Sequence, residues 1–568
     1  MSCTPTTSRS KHCQEYRDTM SKRSAEEVLE SPGSKRVRSS DDDVEALLEQ
    51  QPNGSVGDGE VDSYGEGEVA GIEGINKRQS QLRMDKPHEG FEDLYLDQVE
   101  RKVLDFDFEK LCSVTMVTNH IYGCLVCGKY FAGRGPKTPM YFHSMEKNHN
   151  VVINLETKKI YVLPEGYEVL SNSLNDIKYN LDPTYTEEQV RNIDKDTLNT
   201  FATAQDKNKT RFKPGFVGLQ NLKNNDWFNC VMQALAHVAP LRNMFLREKT
   251  AGHSELVKRF GVLVRKMWNP KAFKGHVSPH ELLQELSLRT DKKFDFTKQS
   301  DPAEFMMYLL DLLHRGLGGT RSINSNSGDA ITNKTIISEL FQGHLRVDTQ
   351  PITTKADDEN RLTFEDTPVK TSKMRFVILP VDLPMTSLFQ DANPHAHLTE
   401  LLKKYTGKVT VAREDKRMRY RLMHPLPPFI IMHFPRFSTN KHGMPERNRH
   451  TVKFDQKQLD MNHFTEPNKK LHPSGQPIHY DLVANITHEA VTMRDDSVAG
   501  EETKKVFKVY VGEGDDLDRP IWWKIQDMFV QQFNQEYLEN TESYIQIWQK
   551  SPIGKKRIYR SNAPATGY

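Results

Sequence analysis

Cys124-Leu125-Val126-Cys127 places two thiols within one short turn, and His143 and His149 follow with five residues between them. A turn of that length offers two thiolates to one ion, and two spaced imidazoles complete the four tetrahedral ligands that zinc takes. Four protein ligands leave no position for water, so the spacing predicts one structural Zn2+ rather than a catalytic one. The competing reading, two buried free thiols beside surface histidines, would not need such spacing. The whole chain of 568 residues holds six cysteines. They are too scattered for the disulfide framework of a small secreted domain, which points to a reducing compartment.

Those four side chains need a compact, strand-rich frame. Val151-Val152-Ile153-Asn154-Leu155 and Lys159-Ile160-Tyr161-Val162-Leu163 supply strand-like text directly after the second histidine. The polar stretch from Gln205 to Thr210 reads as a linker, and the text from Pro214 to Trp548 passes from helical periodicity to strands. Leu309-Leu310-Asp311-Leu312-Leu313 predicts a buried helix, and Pro428-Phe429-Ile430-Ile431-Met432-His433-Phe434 a central strand. The organisation expected is a tail over residues 1–85, a zinc-bound unit over 90–187 and a large α+β domain over 214–553.

From Ser39 to Asn76 there is no Lys or Arg, while Asp41, Asp42, Asp43, Glu45 and Glu49 open a long acidic run. Repulsion and scarce apolar surface predict a disordered tail. Before that run, Lys22-Arg23 and Lys35-Arg36-Val37-Arg38 are separated by eleven residues, in the manner of a bipartite nuclear-import signal. A solvated charge run is the plainer alternative. Lys and Arg number 78 against 77 Asp and Glu; that balance argues against a chain that clamps nucleic acid along its whole length. Neither a signal peptide nor a membrane-length apolar run is legible, so a soluble, intracellular protein with a nuclear address is expected.

The run Cys124-Leu-Val-Cys127-Gly128-Lys-Tyr-Phe131-Ala132-Gly133-Arg134-Gly135, with His143 and His149, resembles the UBP-type zinc finger of the ubiquitin-specific proteases. That family pattern carries a further Cys where Ala132 stands and a further His where Pro139 stands, so the resemblance implies a single ion. Arg134 matches the arginine that helps hold the free C-terminal tail of ubiquitin.

Further on, Gly218-Leu-Gln-Asn221-Leu-Lys-Asn-Asn-Asp226-Trp-Phe-Asn-Cys230 resembles the cysteine box of the same family. Gln299-Ser-Asp301-Pro-Ala-Glu304-Phe305, Leu426 to Phe437, Tyr480 to Asn485 and Tyr544 to Trp548 resemble its later elements in order. The resemblance implies a papain-like protease fold. Catalysis there needs a thiolate, an imidazole that takes and returns the proton, and an Asn or Asp to orient it. Here the nucleophile's position holds Asp226, the histidine's Val506 and the orienting residue's Gln526. A carboxylate is a weak nucleophile toward an amide, and valine carries no proton. Asn221 keeps an oxyanion-binding position, but without a nucleophile there is no oxyanion to hold. Cys230 reads as a buried helix thiol, His433 as a satisfied core histidine, and His488 as a non-catalytic histidine of the family. No cysteine follows Phe341, so the second zinc site common in the fingers subdomain is missing.

Within the family, the Asp in the cysteine box and the lost histidine are similar to a protease-like branch that serves the spliceosome. That resemblance implies a non-catalytic scaffold supporting the U4/U6.U5 tri-snRNP and pre-mRNA splicing, with tri-snRNP proteins as partners. Two readings stand beside it: a non-cleaving reader of ubiquitin or a ubiquitin-like protein through Arg134, and a residual deubiquitinase using Cys230. Direct RNA contact is left open by the residues.

Overall fold

The computed structural model describes residues 94–194, 204–208, 210–247, 252–320, 322–323, 334–352, 354–356, 362–364, 367–384, 394–413, 416–439, 445–468, 470, 477–494, 501–513 and 521–551. The acidic run and both basic clusters of the expected tail lie outside these residues. No helix among the described residues is long and apolar enough to cross a membrane.

The N-terminal unit is a five-stranded antiparallel sheet with one long helix. Its elements are β1 (Ile121–Cys124), β2 (Tyr130–Ala132), α1 (Pro139–Lys147), β3 (Val151–Asn154), β4 (Ile160–Val162) and β5 (Glu168–Val169), ordered β2-β1-β3-β4-β5 in the sheet. All of β3 is buried, which is why that run reads as continuously apolar rather than alternating. Pro139 opens α1, where its fixed φ suits the first turn and its missing N–H costs nothing. Asn148 closes the helix at φ 54°, a left-handed cap.

After two short helices, Asn175–Leu181 and Glu187–Asn192, come α2 (Asp226–Ala236), α3 (Ala239–Arg247), α4 (Glu255–Met267), α5 (His280–Arg289), α6 (Pro302–Gly316) and α7 (Ile336–Phe341). Every residue of α2 is buried, so this helix is the centre of its layer. Trp227 meets Phe305 edge-to-face at 4.8 Å and lies 5.8 Å from Phe294. In α4 the buried Leu256, Val257, Phe260, Leu263, Val264 and Met267 recur at helical spacing and form one stripe. Asp301 caps α6 by accepting from the Ala303 amide at 2.8 Å, and the leucine run at 309–313 lies inside this helix.

The strands then form two sheets. One contains β6 (Gly343–Pro351), β7 (Lys370–Phe376), β9 (Thr406–Arg413) and β10 (Lys416–Met423) in the order β7-β6-β10-β9. The other is eight-stranded: β8 (Ile378–Pro380), β11 (Phe429–His433), β12 (Leu459–Asp460), β13 (His479–Arg494), β14 (Glu501–Glu513), β15 (Ile521–Gln526), β16 (Phe529–Phe533) and β17 (Ser543–Lys550). Its order is β8-β11-β17-β13-β14-β15-β16, with β12 beside β13. Phe429 and Ile431 face the helical core, while Ile430 and Met432 face a second core on the other side. Burial on both faces explains the unbroken apolar text of β11.

The two units are joined by charge as well as packing. Phe273 completes the core of the zinc-finger unit. The buried Lys266 ammonium, at the end of α4, bonds Asp107 at 2.8 Å and the Phe106 carbonyl at 3.1 Å. Lys274 reaches Asp105 and Asp107 at 2.7 and 2.8 Å. Burial works against the Asp107 charge, yet Lys266 and Lys274 hold its carboxyl well below the usual range. The stretch read as a linker is instead a tight hairpin. Ala204–Gln205 pairs with Arg211–Phe212, and Asp206 accepts the amides of Asn208 and Thr210. Its polar text reflects turn chemistry, not a flexible spacer.

Candidate functional site

β1 ends on Cys124, and the chain turns back so that the Gly128 amide donates to the Cys124 carbonyl at 2.9 Å. Gly128 sits at φ +75°, and a Cβ there would lie 2.5 Å from the Val103 carbonyl oxygen. Only glycine fits this knuckle. It presents both thiols of Cys124 and Cys127 on one side. His143 comes from α1 and His149 from just past its left-handed cap. One ligand atom from each of the four lies within 4.8 Å of every other. Cys127 Sγ is 3.4 Å from His143 Nε2, which is 3.1 Å from His149 Nδ1. A tetrahedral zinc with Zn–N about 2.0–2.1 Å and Zn–S about 2.3 Å separates its ligand atoms by roughly 3.3–3.8 Å, so the donor set fits that ion. Phe131 stacks on the His143 ring at 4.4 Å and fixes its plane. Ala132 in β2 and Pro139 at the start of α1 carry no side-chain donor atom, so neither position offers a metal ligand.

Arg134 is folded back onto its own sheet. Its guanidinium sits 4.0 Å over the Tyr161 ring and donates to the Gly166 carbonyl at 3.1 Å. A ligand carboxylate would have to compete with both contacts.

In the second unit, Asn221, Asp226 and Asp527 converge at the N-terminus of α2. Gly218 comes so close to the turn between β15 and β16 that a Cβ would lie 2.6 Å from Met528 Cα; this explains the glycine that opens the box. The Leu219 amide donates to the Asp527 carbonyl at 2.9 Å. The Asp527 carboxylate accepts from Asn221 at 3.0 Å and Asn229 at 2.8 Å. Asn225 ties the loop by accepting from the Leu222 amide and donating to Gln220 and Asn229.

Asp226 is the first residue of α2 and only 7% exposed. Its Oδ2 accepts from the Phe507 amide at 3.0 Å and from Gln299 Nε2 at 2.7 Å. β15 begins to pair with β14 only from Val509, and the Asp226 carboxylate takes up the Phe507 amide beyond that point. The helix N-terminus favours an anion here, as it would favour a thiolate. Burial still raises the Asp226 carboxyl above its ordinary range against those two hydrogen bonds, and the Asp527 charge adds to the rise. Val506 is buried in β14, one residue before Phe507, and Gln526 ends β15.

Cys230 is buried, with its thiol bonded to the Trp227 carbonyl at 3.2 Å. Burial, reinforced by Asp226 and Asp527, pushes that thiol well above its ordinary range, the opposite of activation. His488 meets the rings of Phe507 and Phe437 edge-on at 4.9 and 4.8 Å. His433 packs edge-on against Tyr544 at 4.9 Å, but its Nε2 is buried without a hydrogen-bond partner. Burial holds that imidazole below its ordinary range, so it is a neutral core ring, not the satisfied one its sequence suggests. Asp527, Gln299 and the Phe507 amide were missed as site groups. Asp527 follows Gln526 in a motif whose last position is acidic, and that was the available signal.

The pattern described as "Ubiquitin carboxyl-terminal hydrolase" matches residues 217–548, more than half the chain. The chain belongs to the ubiquitin carboxyl-terminal hydrolase family. The pattern of the "Zn-finger in ubiquitin-hydrolases and other protein" matches residues 111–174, so this hydrolase-family chain carries its finger ahead of a protease-like α+β domain. It is 39% identical over 466 residues to "Probable mRNA-splicing protein ubp10" of Schizosaccharomyces pombe, covering 81% of this chain and 89% of that one. It is 29% identical over 473 residues to "Pre-mRNA-splicing factor SAD1" of Saccharomyces cerevisiae, covering 80% and 93%. A solved structure titled "Crystal structure of an essential yeast splicing factor" superposes with TM-score 0.62 at 27% identity, over 81% of this chain and 100% of that one.

Proposed function

We propose that this family member is a non-catalytic scaffold of the nuclear splicing machinery that supports tri-snRNP assembly or stability. The observation that carries the reading is the Asp226 carboxylate. It occupies the nucleophile's position and is already bonded to the Phe507 amide and Gln299, while Val506 stands where an imidazole is required. The splicing names of the relatives supply the biological setting. One structural Zn2+ on Cys124, Cys127, His143 and His149 would hold the finger over residues 90–187 and supply cross-linking, not reaction chemistry. Spliceosomal tri-snRNP proteins are the partners this reading names. Two experiments test it. Full-length protein mixed with a ubiquitin-amide substrate and a thiol-capturing ubiquitin probe is expected to give neither product nor adduct. Affinity purification of the tagged chain from nuclear extract is expected to recover U4, U5 and U6 RNAs with their proteins. Cys230-dependent turnover, or recovery without those RNAs, overturns the proposal.

A further inference from the structure

The small four-stranded sheet has one face packed and one face open. Leu345, Val347 and Leu422 turn inward to the second core. The register puts the alternate positions on the other face. Arg346 lies directly between Lys373 on β7 and Arg421 on β10. The next row is Arg375, His344 and Met423; on the other side lie Thr371, Asp348 and Arg419, then Gln350 with Arg417. β9 adds Thr410 beside Arg419 and Ala412 beside Arg417. These positions hold six Lys or Arg side chains and one carboxylate. Lys373, Arg417 and Arg419 are exposed.

Like charges directly opposite one another on neighbouring strands are destabilising. Asp348 and Glu466 bond Arg346 at 3.1 and 2.8 Å, which answers one charge of the row. Arg421 is turned onto the Thr406 carbonyl and Arg419 onto the Thr410 hydroxyl. Burial, with the nearby Arg375 and Lys373 charges, pushes the His344 imidazole below its ordinary range.

We infer that this face binds the phosphodiester backbone of single-stranded RNA. Three features favour a polyphosphate over an acidic protein. Five of the six cations are arginines, whose planar forks match phosphate oxygens. Arg417, Arg419 and Arg421 project from alternate positions of one strand, with a step on the order of 7 Å, which makes a linear track. Among the described residues the paired positions of this face carry no Phe, Tyr or Trp, one ring in His344, and only Met423 and Ala412 as aliphatic side chains, whereas protein interfaces depend on buried aromatic or aliphatic anchors. Without Phe, Tyr or Trp rings to stack on bases, the binding is independent of base sequence and driven by counterion release. The near-neutral charge of the whole chain conceals this local concentration. The choice of RNA over DNA rests on the splicing reading; the cation track itself does not.

Fluorescence anisotropy with the full-length protein and labelled RNAs of about 20 nucleotides, longer than one binding site, tests the proposal. Two unrelated sequences are expected to bind with equal Kd, and log K to fall with log salt at a slope of roughly −2 to −4, for about three to six phosphates. The triple variant Lys373→Glu, Arg417→Glu, Arg419→Glu is expected to bind at least about tenfold more weakly, its slope flattened by about 2. These side chains are exposed, and an unchanged circular dichroism spectrum and melting midpoint establish that the variant is folded. Replacing the equally exposed Lys102, Lys147 and Lys292 by Glu, or Lys35, Arg36 and Arg38 by Ala, is expected to leave most of the affinity. Wild-type affinity in the triple variant of Lys373, Arg417 and Arg419 overturns the inference. So does a poly-glutamate peptide that binds this face more tightly than the RNA, because the surface would then belong to an acidic protein.

Discussion

At the residue scale, Asp226 acts as a strut. Asp226 links α2 to β14 through the Phe507 amide and to the loop before α6 through Gln299. Asp226→Ala leaves that amide buried without its acceptor and is expected to cost about 1–3 kcal/mol in urea unfolding. Asp226→Asn keeps an acceptor oxygen and removes a desolvated charge, so its midpoint is expected to equal or exceed wild type. Neither substitution is expected to create turnover, since Val506 cannot accept a proton. His237 provides a pH signature. Its Nδ1 meets the Gln233 carbonyl at 2.7 Å, and burial between Phe216 and Trp268 lowers its pKa to about 4. Below its unfolded value of about 6.5 the unfolded chain takes up a proton that the folded chain refuses. Stability is therefore complete above about pH 6.5 and declines toward pH 4, by up to about 3 kcal/mol from this group. His237→Phe is expected to flatten unfolding free energy against pH by a comparable amount.

At the element scale, the finger depends on its ligands and on its seat against α4. Metal analysis is expected to give one zinc per chain. Because a structural site contributes directly to folding, Cys127→Ser is expected to expose the sheet β1–β5 to protease while the helices α2–α6 stay resistant. A finger that resists digestion in that variant would contradict a structural ion. The seat is a buried ion pair, and losing one partner strands the other. Asp107→Asn is expected to cost about 3–5 kcal/mol because Lys266 loses its counter-charge. This effect is separable from the zinc effect, since the variant should still retain its metal.

For the whole molecule, the central sheet is sandwiched between two cores, so a charge placed in it has no route to water. Ile431 is fully buried and paired with Ile547. Ile431→Asp is expected to abolish cooperative unfolding and, with it, rescue of splicing in depleted nuclear extract. Asp226→Asn is expected to rescue fully. The two cores are built from apolar side chains on both faces of the sheet, so the packing does not depend on a thiol at 226 or an imidazole at 506.

The amino-acid sequence by itself determined the candidate metal ligands, the helical and strand text and the residue types at the positions matched to a catalytic trio, because each depends on residue type at short spacing. Two thiols in one turn, leucines at 309–313, an apolar run at 428–434 and a valine that cannot carry a proton are all local facts. Their partners are not local. Asp226 finds its acceptor role 281 positions away at Phe507 and 73 away at Gln299. Asp527 meets Asn221 across 306 positions, and Lys266 meets Asp107 across 159. The row Lys373, Arg346, Arg421 exists only once three distant strands pair in register. Strand pairing brings together side chains from unrelated stretches, and a one-residue slip would turn each of them to the opposite face. Only the tertiary structure could therefore decide which charges share a surface and which groups bond the Asp226 carboxylate.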